Sequence, residues 1–190
     1  MIDWSLDALH TARHVGQIVV AAPAGHIHDL AGNDYGVVPG GASRSESVAN
    51  ALEAVGLPYV VVHDAARPLV TAELVDAVIE DLIANDDAGA VVAAAPITDT
   101  VKEVARGMEV DRTLDRSSLW AAQTPQAFRA EALREALAST ELLAQATDDA
   151  MLVERLGGKV LLHEAPAENL KVTTQLDLEV AELLLAKRSE

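Results

Sequence analysis

No cysteine occurs in the 190 residues, which excludes a disulfide framework, a thiolate zinc site and a cysteine nucleophile. Aromatic side chains are nearly as scarce, at 3% of the chain. A core must therefore be assembled from Ala, Val and Leu, and the 50% apolar share is enough to build one. Basic residues are outnumbered, with 14 Lys and Arg against 30 Asp and Glu and a formal net charge of −16. A nucleic-acid footprint needs a basic face to neutralise phosphates, so nucleic acid is not an expected partner. Small phosphorylated substrates need only a few placed cations and a metal ion. No apolar run approaches the roughly 20 residues that span a bilayer, and the opening MIDWSLDALHTARH is acidic and amphipathic, unlike a signal peptide. A cytoplasmic protein with no membrane partner is expected.

What the chain does contain is regular alternation. Trp4, Leu6, Leu9 and Ala12 fall at helical spacing and predict a helix ending near Gly16. QIVVAA, YGVV, YVVV, AGAVVAAAPI and KVLLHE read as strands, the valine runs as strands covered on both faces. Helices are predicted over Ser47 to Val55, Thr71 to Ala84 and Ala130 to Leu137, in ATDDAMLVERLGG, and in the amphipathic closing segment QLDLEVAELLLAKR. Thr71 and Thr147 are the predicted caps of their helices. Strands alternating with helices predict a single α/β domain over residues 1–190, with a doubly wound, mostly parallel sheet. The pattern breaks from Thr98 to Trp120, where short alternating segments around Gly107 predict a protruding β-arm.

In open α/β sheets, ligands bind beyond the carboxyl ends of the strands, and the polar oddities gather at such ends. GGASRSES offers backbone for close approach to a flat ligand, or simply a glycine turn with a serine cap. In HDAARP, Asp64 is placed to hold a divalent cation and Arg67 an anion, unless the two merely pair to fix a turn before Pro68. His63, pointing opposite to Asp64, reads as a polar core or rim residue. Asp99, Thr100, Lys102, Arg112 and Arg116 on the arm either reach a phosphate in a neighbouring subunit or solvate a hairpin edge. In ENLKVTT, Lys171 beside Glu168 is either a phosphate-and-metal pair or an exposed ion pair.

The order of these segments carries more than any one of them. PGGASRSESV, VVVHDAARPLV, PITDTVKEV, VDRTLDRSSLWAAQTPQAF, ATDDAMLVERLGGKV and ENLKVTTQLDLEVAE, taken together, resemble the family of cytidylyltransferases acting on 2-C-methyl-D-erythritol 4-phosphate in non-mevalonate isoprenoid synthesis. The resemblance spans nearly the whole chain. It implies a Rossmann-like nucleotidyltransferase fold that transfers CMP from CTP to the alcohol phosphate, releases pyrophosphate, uses Mg2+ and is homodimeric through the arm. It also implies roles: Gly40, Gly41 and Ser47 around the cytosine, Ala65 against the ribose, and Asp64 on the metal with Glu168 as its second acid. Arg67, Thr124, Thr147 and Lys171 would bind the alcohol phosphate, joined by Thr100 and Arg116 from a partner's arm, with Arg116 and Lys171 the catalytic cations. The related ribitol-5-phosphate cytidylyltransferases and a non-catalytic binding or assembly subunit are the alternatives.

Family members open with a strand and a loop of the form AAGxGxRxxxxxPKQ, ahead of the helix that here reads DWSLDAL. That loop cradles the triphosphate, and losing such donors costs about 10²–10³ in rate each. The sequence as given is therefore expected to be inactive or impaired. The strands flanking the absent one are expected to lack partners around an open apolar slot. A late start in the gene model is the expected reason, ahead of a truncated paralogue or a strand supplied by another chain.

Overall fold

Local signals start the helices where their first turns need partners for free N–H groups. In the computed structural model, which describes residues 1–30, 34–138 and 148–188, Thr71 accepts from the Leu74 amide and opens α4 (Ala72–Ala84). Ser43 accepts from Glu46 and opens α3 (Arg44–Glu53), so this helix begins three residues before the predicted start. Asp148, rather than Thr147, accepts from Met151 and caps α6 (Asp149–Arg155); Thr147 lies outside the described residues. The remaining helices are α1 (Ile2–Thr11), the short α2 (Ile27–Leu30), α5 (Ala130–Leu137) and α7 (Gln175–Arg188).

The strands are β1 (Val19–Ala22), β2 (Gly36–Pro39), β3 (Tyr59–Val62), β4 (Ala88–Pro96), β5 (Lys102–Val104), β6 (Val110–Thr113), β7 (Trp120–Arg129) and β8 (Lys159–Glu164). β4 and β8 run parallel, as do β1 and β2. β7 is antiparallel to both β3 and β4. Its reversal follows from the arm: the chain leaves the sheet on β4, turns through the antiparallel β5–β6 hairpin and comes back on β7, with Pro96 opposite Trp120 at the root. Every residue of β5 and β6 is exposed.

Helices cover both faces of the four-stranded sheet, ordered β3-β7-β4-β8. On one side α4 buries Leu74, Val75, Val78 and Leu82 against Val91 and Ala127, with Leu9 of α1 alongside. On the other, Leu133, Leu137, Leu152 and Val153 from α5 and α6 surround Phe128 and Val92. Phe128, the chain's single phenylalanine, is fully buried. α7 is less cleanly amphipathic than its sequence predicts. Ala181 and Leu185 pack on Leu69, while Leu176, Val180 and Leu183 face outward.

The two-stranded β1–β2 sheet does not hydrogen-bond to the four-stranded one. Between the facing edges of β1 and β3 lies a cavity of about 560 Å³, lined by apolar residues including Leu6, Leu9, Val20, Val48, Leu52 and Val61. The cavity leaves β3 only half-buried along its length, where a strand covered on both faces was predicted. Arg44, Ser47, Asp64 and Ala65 line the same cavity, so it opens onto three residues singled out for chemistry: Ser47, Asp64 and Ala65.

Candidate active site

Beyond β2, the Gly40 amide donates to the Ala22 carbonyl at 2.8 Å, carrying the backbone across the end of β1. The Gly41 amide then donates to Ser47 Oγ at 3.0 Å, and Ala42 donates to Glu46 Oε2 at 2.7 Å. A Cβ on Gly41 would sit 2.2 Å from the Glu46 Cβ. The glycine is therefore required by the turn itself, whatever ligand approaches it. Ser47, one of the three residues predicted to frame a base, holds this loop by donating to Ser43 O and accepting from Gly41.

At the end of β3, both oxygens of Asp64 are engaged. Oδ1 accepts from Arg44 Nε at 2.9 Å and Oδ2 from Lys171 Nζ at 2.8 Å. Neither of the two local ion pairs offered by the sequence is formed. Asp64 does not pair with Arg67, and Lys171 pairs with Asp64 rather than Glu168. Burial pushes the Asp64 carboxyl up, but the hydrogen bond from Lys171 and the charge of Arg44 outweigh it and leave the group below the usual carboxylate range.

Arg67 turns away, donating from Nη1 to the Asn169 carbonyl at 2.8 Å. Its Nε is buried without a hydrogen-bond partner among the described residues. Asn169 is buried and donates to Gln123 Oε1 at 2.8 Å and to the Thr124 carbonyl at 2.9 Å. It thereby fastens the Lys171 segment to β7. That segment forms no strand. Its end is fixed instead by Asp177, which accepts from the Thr173 and Thr174 amides at 2.9 and 2.8 Å. Those backbone donors, with the Thr173 hydroxyl, pull the Asp177 carboxyl down to about 2.

The Thr124 hydroxyl accepts from the Asp64 amide at 3.0 Å and lies 3.1 Å from His63 Nδ1. His63 Nε2 lies 3.2 Å from the Arg67 carbonyl, which can only accept. Nε2 is therefore the protonated nitrogen, and Nδ1 accepts from Thr124. The Thr124 proton is thus committed inward. In this geometry Thr124 positions the Asp64 backbone.

Three residues that the sequence reading did not select join the cluster. Arg44, in the first turn of α3, donates from Nη1 to Asp149 Oδ2 at 2.5 Å while its Nε holds Asp64. Asp149 is completely buried, and burial pushes its carboxyl above the usual range against the pull of Arg44. His63 fixes the Thr124 hydroxyl. The signal for Arg44 was present as the lone cation in GGASRSES, and His63 was read only as a polar core or rim residue; Asp149 carried none.

The other predicted residues lie outside this network. Ala65 is exposed in the turn after Asp64, and Glu168 is exposed beside Asn169. Thr100 and Arg116 are exposed on the arm, where Arg116 donates to the Thr98 carbonyl. Among the described residues no group of three or more His, Asp or Glu side chains is placed to hold a metal. A carboxylate at a strand end would suit a magnesium ion whose remaining ligands are substrate phosphates and water, once Lys171 gives up Oδ2 to it.

Residues 1–187 match the family described as IspD: 2-C-methyl-D-erythritol 4-phosphate cytidylyltransferase. The chain is 45% identical to the 2-C-methyl-D-erythritol 4-phosphate cytidylyltransferase of Frankia casuarinae, over 98% of this chain and 71% of that protein. It is 40% identical to the enzyme of the same name from Synechococcus sp. strain WH7803, over 99% of this chain and 87% of that one. The crystal structure of the Thermus thermophilus enzyme of that name superposes with a TM-score of 0.84 at 38% identity, covering 97% of this chain and 88% of that one.

Proposed function

The chain belongs to the 2-C-methyl-D-erythritol 4-phosphate cytidylyltransferase family, and from that premise we infer how its residues divide the work of CMP transfer. The family reaction joins CMP from CTP to the alcohol phosphate in isoprenoid precursor synthesis. A phosphate oxygen of methylerythritol phosphate attacks the α-phosphorus of CTP, the bond to the β-phosphate oxygen breaks, and pyrophosphate leaves. Negative charge shifts toward the leaving group, so positioning and fixed cations do most of the catalytic work.

One observation carries the assignment: Asp64 stands at the end of β3 between Lys171 and Arg44. Asp64 would hold magnesium with the substrate phosphates, and Glu168 would be the second acid on that side. When bound, the ion supplies positive charge at the phosphates. Lys171, exposed and held by a carboxylate alone, is free to turn toward a phosphate oxygen. Arg67, whose buried Nε has no hydrogen-bond partner among the described residues, would turn its guanidinium toward the alcohol phosphate. Gly40, Gly41 and Ser47 form the cytosine side, with Ala65 against the ribose. Thr100 and Arg116 project on an arm whose strands are wholly exposed. This suits a homodimer in which each arm reaches the alcohol phosphate of the other copy, with Thr147 lining the same subsite. No helix among the described residues is long and apolar enough to cross a membrane. A cytoplasmic location belongs to the same reading, because CTP is an intracellular nucleotide.

A substrate competition tests the reading. With CTP and Mg2+, equimolar methylerythritol phosphate and ribitol 5-phosphate are offered, with uptake followed by calorimetry and CDP-linked product by chromatography. Preference for methylerythritol phosphate is expected. Equal or stronger use of ribitol phosphate, or absence of cytidine-nucleotide binding even with an added N-terminal strand and AAGxGxRxxxxxPKQ loop, would overturn it.

A further inference from the structure

Asp64 is held by two cations of very different freedom. Lys171 contributes a single contact from a segment without regular structure, and its side chain is 43% exposed. Arg44 is forked: Nε lies on Asp64 and Nη1 on Asp149, whose side chain is fully buried. An arginine facing one carboxylate closes on both its oxygens in a bidentate pair. Arg44 does not, because Asp149 holds the other edge of its guanidinium. The result is an Asp64 with one oxygen firmly bound and the other covered only by the exchangeable Lys171.

We propose that Asp149 is a positioning residue that restrains Arg44, keeping Asp64 Oδ2 open to a divalent cation. The inference rests on the reading of Asp64 as the metal-side acid. Asp149 is sealed from solvent and acts through Arg44, from the start of α6, a helix that otherwise serves the core. Removing its charge releases the guanidinium onto Asp64, and the ion pair that forms competes with the metal.

The test is Mn2+ binding to the whole chain, read by water-proton relaxation in the presence of CTP, with thermal unfolding as a check on folding. Asp149→Asn is expected to weaken Mn2+ binding by about 10-fold, the order seen when an outer partner of a metal ligand is lost. Arg44→Met is expected to bind Mn2+ at least as tightly as the unaltered chain. The double variant Arg44→Met/Asp149→Asn should recover to within about 3-fold of the unaltered chain, since the competing cation has gone. That recovery is what a merely structural role for Asp149 would not give. Unchanged Mn2+ binding in Asp149→Asn, weaker binding in Arg44→Met, or a double variant no better than Asp149→Asn would each overturn the restraint. If Asp149→Asn fails to fold, Arg44→Met alone still decides. Asp64→Asn separates the two levels: if it leaves Mn2+ binding intact, the metal reading of Asp64 fails first.

Discussion

The Thr124 hydroxyl donates to His63 Nδ1 across 3.1 Å, joining the end of β3 to the middle of β7. The bond requires a neutral imidazole, because a doubly protonated ring has no lone pair to offer. Burial, the largest influence, pushes the His63 pKa down from 6.5 to about 4.

Stability should therefore fall in acid through His63. The folded pKa lies below the unfolded one, so between about 6.5 and 4 the unfolded chain binds the extra proton. This contribution is fully present above pH 6.5 and is lost as pH falls through 4, amounting to ~3 kcal/mol. Denaturant unfolding of the unaltered chain and His63→Gln at several pH values checks this. Carboxylate titration is common to both chains, so the difference between the two curves isolates the histidine. Parallel curves would show that His63 is not held neutral.

Thr124→Val removes a hydroxyl from a residue that is only 3% exposed. It leaves the Asp64 amide and His63 Nδ1 both without partners. An unsatisfied buried polar group costs about 1–3 kcal/mol, so a loss of ~2–4 kcal/mol is expected from the pair. Thr124→Ser retains both bonds and should stay within about 1 kcal/mol. Chemical denaturation of the two variants gives the comparison; equal losses would show that packing of the methyl group, rather than the hydroxyl, holds the two strand ends.

Gly41→Ala tests whether the turn after β2 is as tight as its backbone indicates. The added methyl would meet the Cβ of Glu46, an atom fixed to the α3 backbone, and cannot be relieved by a side-chain rotation. The loop must shift, breaking the Gly41–Ser47 and Ala42–Glu46 bonds. A loss of about 1–3 kcal/mol is expected, together with weaker CTP binding by calorimetry. Gly25→Ala, where nothing lies within 4 Å of the added atom, is the control and should be nearly neutral.

Periodicity made the element order legible, down to the ends of β8 and α5, because apolar spacing reports directly on which face is buried. It also placed Asp64 at a strand end, where Lys171 does meet it, although the Lys171 segment is not itself a strand. What it could not convey was choice among partners. Asp64 lies within reach of several cations, and the sequence ranks neighbours by separation along the chain, which favoured Arg67. The fold instead delivers Arg44 from the end of β2 and Lys171 from beyond β8. Asp149 was hidden for a similar reason. In ATDDAMLVERLGG it reads as a first-turn acid serving the helix dipole, and only the packing of α6 against α5 and β4 shows that it is sealed from solvent. The direction of β7 depends on how the arm returns, which is a property of the whole chain.

The split between the half-sheets predicts a graded response to opening. Each strand at the centre of the four-stranded sheet has partners on both sides: β4 lies between β7 and β8, and β7 between β3 and β4. β1 has only β2, and its other edge faces the cavity. The β1–β2 pair is tied to the rest chiefly through α3, whose Leu52 packs in the cluster around Phe128, and through the Arg44 fork, so it is held more weakly than the strands inside the four-stranded sheet. Amides in β4 and β7 should exchange with deuterium only through global unfolding, whereas those in β1 and β2 exchange through a cheaper local opening. A difference of about 100-fold in protection corresponds to ~2.7 kcal/mol between the two openings. Mass-spectrometric exchange on peptides covering Val19–Ala22 and Ala88–Pro96 measures it. Arg44→Met, which cuts the fork, should lower protection of β1 and β2 further while leaving β4 unchanged. Equal protection across all four strands would mean that the helices alone weld the two sheets into one cooperative unit, and that the unpaired edges carry no energetic consequence.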